Sequence, residues 1–376
     1  MIRSDLKLKR QRSAAWIITM TIWSIAALDL TLSNPAQATP SWQQLDQHLK
    51  DKVYELNIGL KLQLPDGLFS QLADLSPKYR YPIFSTTKED KGYRVVGFGS
   101  AFPINTNSKS KSYFITNRHV LASAQDIASE CERFYTALAF YAERSASDHN
   151  VKRRHQDLLQ IINLANKKDL TIAERHLYQS TIDALWDCWD IYLSPRADPK
   201  RSLFKKYSTA VTLKILPGYF LHPAGPLRQP AIKAKLYKIA KFDAEPDLAI
   251  LTAPLKVPTL DLDPIIAHVG QAIQIIGYPA ASDQINVTSD KSSMPTFTTG
   301  AIEKVSPSLL QVKAPIKPGN SGSPVINLQG KVIGTVAVRA ISSAGSIVPG
   351  FGGVITVQSI KSFAPELFAS IKQGAH

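Results

Sequence analysis

A serine framed by two glycines, in the stretch GNSGSP at residues 319–324, is the first candidate for chemistry. A serine hydroxyl is a weak nucleophile at neutral pH and attacks an acyl carbon only when a neighbouring base takes its proton. The oxyanion that then develops needs preorganised N–H donors, and glycine permits the torsions that turn two of them toward one point. The pattern predicts Ser321 as a nucleophile, with the N–H groups of Gly319 and Ser321 as an oxyanion hole. The alternative is a plain surface turn.

Two further segments could supply a base and a carboxylate. His119 lies at the exit of the strand-like run YFITNRHVL, and Asp247 directly precedes the apolar run LAILTAP. Alone, such a histidine is more often a structural hydrogen-bonding residue, and such an aspartate is usually a cap or turn residue. With Ser321, however, they follow the order His, Asp, Ser, one of the few chain orders in which a catalytic triad occurs. The three segments together predict a triad of His119, Asp247 and Ser321.

The elements that must position this triad are mainly β-strands. Short apolar runs with glycines begin at Tyr93 and return from about Tyr207 to Thr356, whereas the stretch between them has the apolar spacing of helices. Thr171 followed by Glu174 predicts a capping box at one helix start. We therefore predict a mainly β fold of two six-stranded barrels interrupted by helices. The strand pattern alone is equally compatible with a sandwich.

The motifs GSAF, YFITNRHVL, PDLAIL and GNSGSPVIN resemble those of the trypsin-like (chymotrypsin-fold) serine proteases. The likeness is greatest to the bacterial HtrA/Deg proteases and the glutamyl endopeptidases, and it covers residues 93–122 and about 207–360. The resemblance implies a double β-barrel with an inserted α-helical subdomain. It also implies that His119 is the general base, Asp247 its orienting carboxylate, and Ser321 the nucleophile that forms an acyl-enzyme.

This resemblance sets the expected domain boundaries. They are a signal peptide at 1–38, an N-terminal lead-in at 39–92, the protease domain at 93–122 and 207–360, a helical insertion at 123–206, and a C-terminal helix or tail at 361–376. The insertion separates His119 from Asp247 by 128 positions, and we expect it to bulge from a surface loop of the first barrel. Only 19 residues follow Val357, too few for a PDZ domain.

Substrate specificity follows only from the resemblance. It places the wall of the substrate pocket at four consecutive residues and its base near a proline: Val336, Ala337, Val338, Arg339 and Pro315. Pro315 replaces the aspartate with which trypsin holds Lys or Arg, and Val336 replaces a histidine of the glutamyl endopeptidases. A small apolar side chain before the cut is therefore expected; the alternatives are that Arg339 narrows the pocket or attracts an acidic side chain. Asn320 replaces the aspartate that pairs with a freshly cut N-terminus in trypsin, so activation by such an ion pair is not expected.

The N-terminal residues have the features of a secretion signal. Five basic residues precede a 16-residue apolar stretch, and Ala36 and Ala38 form an A-x-A cleavage pattern. An uncleaved membrane anchor is the alternative, but spanning a bilayer takes about 20 apolar residues. We predict a periplasmic or secreted protein without a stable membrane anchor after cleavage. In that oxidising setting, Cys131 and Cys188 are expected to form a disulfide, the alternative being two unpaired buried thiols.

The sequence predicts an extracytoplasmic serine endopeptidase whose partner is a protein or peptide substrate. The histidines show no metal-ligand spacing, and no cofactor is expected. The net charge of +14 is partly concentrated in residues 207–241, where lysine spacing indicates a solvated strand edge, so no nucleic-acid role is predicted. The alternatives are a catalytically silent binding or scaffold protein on a protease fold, an esterase using the same triad, and a basic adhesion module. The oligomeric state remains open.

Overall fold

The protein is described by a computed structural model. It covers residues 40–72, 84–145, 149–164, 170–194, 203, 206–207, 211–226, 229–241, 246–279, 292–341 and 347–369. The predicted signal peptide lies outside these residues. No helix within them is both long and apolar enough to cross a bilayer.

The described residues form sixteen strands and five α-helices. The strands in chain order are β1 Tyr54–Gln63, β2 Phe69–Leu72, β3 Phe84–Thr87, β4 Arg94–Ile104, β5 Ser112–Thr116, β6 Lys214–His222, β7 Gly225–Pro226, β8 Ile232–Ile239, β9 Ala249–Ala253, β10 Ala272–Gly277, β11 Ser292–Ser293, β12 Thr296–Val305, β13 Leu309–Lys313, β14 Pro324–Ile326, β15 Val332–Ile341 and β16 Ile347–Thr356. The helices are α1 Pro40–Leu49, α2 Arg118–Arg144, α3 His149–Leu164, α4 Ile172–Cys188 and α5 Val357–Phe363, with short 3₁₀ turns at Lys50–Lys52 and Pro365–Leu367 and a π-helical turn at Trp189–Leu193.

Both predicted barrels are present. The first follows the order β1-β4-β5-β9-β8-β6 and closes through pairing of β1 with β6, while β2 and β3 extend its sheet beyond β1. The second is a closed barrel in the order β10-β12-β13-β16-β15-β14. A shared hydrophobic cluster joins them, with Phe102 and Ile115 from the first barrel and Ile276 and Ile326 from the second. The mainly β double-barrel prediction is confirmed, and the sandwich alternative is wrong.

The segment predicted as a lead-in contributes a barrel strand. In YELNIGLKLQ the apolar residues alternate with more polar ones, and Leu56, Ile58, Leu60 and Leu62 are buried in the first barrel's core. This period of two is the signature of a strand with one face inward. The predicted boundary at residue 93 is therefore wrong, because β1 pairs with both β4 and β6 and is needed to close the ring.

The inserted helices share a core with the first barrel. Phe134 and Tyr178, from α2 and α4, belong to the same buried cluster as Leu56 and Phe114 of the barrel. The insertion therefore packs onto the barrel and does not bulge freely from it. Its first helix begins at Arg118, five residues before the predicted start at 123, so that His119 itself lies on it. The capping box predicted at Thr171 and Glu174 is confirmed at the start of α4.

The predicted disulfide is wrong: Cys131 and Cys188 are both free and buried. Cys131 lies on α2 with its Sγ 3.3 Å from the Oγ of Ser70 on β2. The Cys188 thiol instead contacts the hydroxyl of Tyr141, ten residues along α2 from Cys131, which is about 15 Å of helix. A disulfide requires Cα atoms within about 7 Å. Helical spacing predicted that each cysteine lies on a helix. It did not show that Cys188 would pack against a turn of α2 far from Cys131.

These thiols are expected to be unreactive in the folded protein. Burial raises the pKa of Cys131 to about 12 and that of Cys188 to about 11, and the thiolate is the reactive form. Ellman's reagent should therefore titrate almost no thiol within minutes under native conditions and both thiols after unfolding in guanidinium. Failure to titrate any thiol in the unfolded, unreduced protein would instead indicate a disulfide.

Candidate active site

Ser321 lies in the loop that joins β13 to β14 of the second barrel. Gly319 and Gly322 have φ angles of 91° and 84°, a region that side chains disfavour. Gly322 also approaches the first barrel closely: a Cβ there would lie 2.0 Å from the carbonyl oxygen of Ser100 and 2.6 Å from Oγ1 of Thr116. The glycine after the serine is thus required both by the torsion and by the packing of the loop between the barrels.

Backbone hydrogen bonds hold this loop in a fixed path. Asn320 N–H donates to the Lys317 carbonyl over 3.1 Å, and the Asn320 carbonyl accepts from Ser323 N–H over 2.9 Å. Gly322 N–H donates to the carbonyl of Val336 on β15. No acceptor from the described part of the chain bonds the N–H groups of Gly319 and Ser321. These are the two donors predicted for an oxyanion hole, and they remain available to an incoming oxygen.

His119 lies in the first turn of α2, two residues after the extended N-cap residue Asn117. Its Nε2 lies 2.8 Å from Oγ of Ser321, and its Nδ1 lies 2.5 Å from Oδ2 of Asp247. The imidazole is 44% exposed, which leaves it open to a substrate. The first turn of α2, the loop before β9 and the loop before β14 thereby bring His119, Asp247 and Ser321 together.

Asp247 is held on several sides and is 21% exposed. The backbone N–H of His119 donates to its Oδ1 over 2.9 Å, and Nδ2 of Asn117 donates to its carbonyl over 2.9 Å. Nε of Arg118 lies 3.7 Å from Oδ1. Burial raises the pKa of Asp247, but the contacts with His119 and the charge of Arg118 outweigh burial, and the net pKa is below its ordinary value.

This geometry selects the tautomer of His119. An ionised carboxylate can only accept hydrogen bonds, so Nδ1 carries the proton toward Asp247. Nε2 is then the acceptor, and the hydroxyl of Ser321 donates to it. A serine whose proton already points at a neutral imidazole nitrogen, beside two available N–H donors, has the parts needed for nucleophilic attack on an acyl carbon.

The residues predicted for the substrate pocket have varied environments. Val336 is buried among the interior side chains of the second barrel, and Ala337 is buried in the cluster between the barrels. Pro315 is exposed at the start of the Ser321 loop. Val338 and Arg339 lie on β15 opposite Gly353 and Gly352, but their side chains are outside the described part of the structure. The pocket assignment stays a prediction.

Two residues that sequence reasoning missed hold the site together. Asn117 is fully buried and joins the start of α2 to the backbone of Asp247. Ser100 on β4 is fully buried and bonds the carbonyls of Gly319 and Ser321. Both stand in motifs quoted above, TNRHV and GSAF, but neither residue type indicates alone that it would reach across to another loop. The described residues contain no group of three or more His, Cys, Asp or Glu that could hold a metal ion.

Comparison with known proteins agrees with this architecture. Residues 227–334 match the family model described as a trypsin-like peptidase domain, a range that contains Asp247 and Ser321 but not His119. Over 142 residues the chain is 30% identical to "Serine protease Do-like HtrA" of Lactobacillus helveticus, which covers 36% of this chain and 34% of that relative. The chain thus spans about a third of the length of this curated relative.

Similar solved structures are also proteases. The serine endoprotease from Yersinia pestis is 13% identical, with a TM-score of 0.41 over 88% of this chain and 67% of that one. An inactive form of Rv3671c from M. tuberculosis H37Rv is 14% identical, with a TM-score of 0.38 over 94% of this chain and 100% of that one. Residues 227–334 are thus similar to a trypsin-like peptidase domain, and the chain folds into two closed barrels.

Proposed function

We propose that this protein is an extracytoplasmic serine endopeptidase that hydrolyses peptide bonds through an acyl-enzyme. One observation carries the proposal: the side chains of His119, Asp247 and Ser321, which span 202 positions of the chain, form an unbroken line of hydrogen bonds. A buried structural histidine would not need a partly exposed serine at one nitrogen and an ionised carboxylate at the other. The trypsin-like domain match supports the same reaction class.

The reaction begins when Oγ of Ser321 attacks the scissile carbonyl carbon and its proton passes to Nε2 of His119. The ionised Asp247 stabilises the imidazolium that results. The carbonyl oxygen becomes an oxyanion, which the N–H groups of Gly319 and Ser321 bind. The tetrahedral intermediate collapses, the C–N bond breaks, and the leaving amine takes the proton from Nε2. Water, deprotonated by His119, then attacks the acyl carbon. The C–Oγ bond breaks, the carboxylic acid product leaves, and Nε2 returns the proton to Oγ of Ser321.

The extracytoplasmic location rests on the charged and apolar N-terminal segment with its A-x-A pattern, which we take to be a signal peptide. The substrate is a protein or peptide. We also propose that the reaction needs no cofactor, because the nucleophile, the base and the oxyanion donors all come from the chain.

Covalent labelling tests the proposal. A fluorophosphonate should add a single mass increment to the wild type, and peptide mapping should locate it on Ser321. Ser323→Ala is the matched control, because Ser323 lies two residues away, is fully buried, and its Oγ makes no hydrogen bond within the described structure; this variant should label at the wild-type rate.

Hydrolysis must accompany labelling. The wild type should cleave members of a peptide library as well as simple esters. A folded wild type that never labels contradicts the proposal and favours the scaffold alternative. Labelling with turnover of esters but of no peptide would favour an esterase.

A further inference from the structure

A single serine outside the triad makes four hydrogen bonds around the nucleophile loop. Ser100 N–H donates to the Ser321 carbonyl over 2.8 Å, and the Ser100 carbonyl accepts from Oγ1 of Thr116 over 2.9 Å. Its Oγ lies 2.9 Å from the Gly319 carbonyl oxygen and 3.0 Å from the backbone nitrogen of Tyr278. Ser100 thus links two strands of the first barrel, the end of β10 in the second barrel, and the loop that carries Ser321.

The direction of the hydroxyl proton follows from these partners. A serine hydroxyl has one proton to donate, and the backbone N–H of Tyr278 can only donate. The Ser100 hydroxyl therefore accepts from Tyr278 and gives its own proton to the Gly319 carbonyl. Because Ser100 is fully buried, no water competes for either bond.

The hydrogen bond from the Ser100 hydroxyl to the Gly319 carbonyl restrains the backbone of Gly319. Gly319 has a φ of 91° and no Cβ, so its own sterics do little to hold its torsions. In a planar trans peptide the carbonyl and the following N–H point in opposite directions. Fixing the Gly319 carbonyl on Ser100 therefore directs Asn320 N–H the other way, toward Lys317. The Ser321 carbonyl accepts a hydrogen bond from Ser100 N–H, which fixes the orientation of the peptide group between Ser321 and Gly322.

We propose that Ser100 is a positioning residue that keeps the N–H groups of Gly319 and Ser321 aimed at the developing oxyanion. This inference rests on the proposed hydrolytic function. Ser100 belongs to the first barrel, whereas the loop that it holds belongs to the second. Formation of the oxyanion hole therefore also depends on the packing of the two barrels against each other. It does not touch the substrate, and its effect should appear in the transition state and not in substrate binding.

The test compares Ser100→Ala with Ser112→Ala. Ser112 is an equally buried serine on β5, and its Oγ bonds the backbone N–H of Val257 away from the nucleophile loop. Ser100→Ala should lower kcat about 10- to 100-fold with KM changed less than threefold, since deleting one oxyanion donor outright costs about 10²–10³ in kcat. Ser112→Ala should stay within threefold of the wild type in both constants.

A transition-state analogue separates positioning from general damage to the fold. A peptide aldehyde adds to Ser321 and places its oxygen in the oxyanion hole, so its affinity should weaken in Ser100→Ala by the same factor as kcat/KM. Equal loss in the two alanine variants, or an unchanged aldehyde affinity, would overturn the role of Ser100.

Thr116→Val covers the case in which Ser100→Ala does not fold. It keeps the side-chain shape, removes the bond to the Ser100 carbonyl, and should lower kcat several-fold; unchanged kcat and aldehyde affinity would count against the inference. An inert wild type would count against the hydrolytic function itself, whereas an active wild type beside an unimpaired Ser100→Ala would count only against Ser100.

Discussion

Ser321→Ala is expected to lower kcat on a peptide substrate by on the order of 10⁶-fold, because the three residues of a triad act as a unit. The variant keeps the oxyanion donors and the substrate-binding surface but has no nucleophile for His119 to activate. KM should change little, since the lost oxygen contributes to the transition state more than to binding. Initial rates on a fluorogenic peptide chosen by library profiling, at enzyme concentrations high enough to detect residual turnover, give the measurement.

The control for this variant is Ser323→Ala, which removes a hydroxyl from the same loop and should retain near wild-type rates. Thermal unfolding of all three proteins shows whether the loop survives each change. If a purified Ser321→Ala protein retained more than about a hundredth of wild-type kcat, another group would have to carry out the attack. A triad that has lost its nucleophile cannot sustain that rate.

Asp247→Asn is expected to lower kcat about 10⁴-fold while leaving the fold intact. The amide can donate to Nδ1 of His119, which favours the tautomer with its proton on Nε2. That tautomer cannot accept the proton of Ser321. The reduced pKa of Asp247 has the matching thermodynamic meaning: folding favours the ionised carboxylate, so the associated stability is present at neutral pH and is lost as the pH falls through the folded pKa.

Steady-state kinetics across pH and the rate of fluorophosphonate labelling both report this change. Asp90→Asn is a suitable control, because it removes an exposed carboxylate that pairs with Lys61 and should leave both rates unaltered. A loss in Asp247→Asn no larger than tenfold would indicate that Asp247 has a structural and not a catalytic role.

Local patterns predicted much of this protein because several of its decisive features are local. The glycines around Ser321, the polar turn after YFIT and the capping box at Thr171 each depend on torsions or spacing within a few residues. The alternation in YELNIGLKLQ is equally local. Because the residues just before it have helical spacing, the segment was predicted as a lead-in, and β1 of the first barrel was not recognised. The same rule of period two, applied to that decapeptide alone, identifies β1.

Other features could not be predicted because they depend on how distant elements meet. The missing Cys131–Cys188 disulfide depends on which turns of α2 face β2 and α4. The role inferred for Ser100 depends on the approach of β4 to a loop 219 positions later in the chain. A buried serine in a strand is ordinary in sequence, and only its partners distinguish it.

Helix α2, which carries His119 in its first turn, is 27 residues long. Its buried residues pack against both the first barrel and the other inserted helices. The inserted helices are therefore not an independent module. Their removal would take away the helix that positions His119 and would expose hydrophobic residues of the first barrel to water. Melting of these helices and disappearance of turnover should then be a single cooperative event, and heating should not first yield an active barrel pair stripped of its helices.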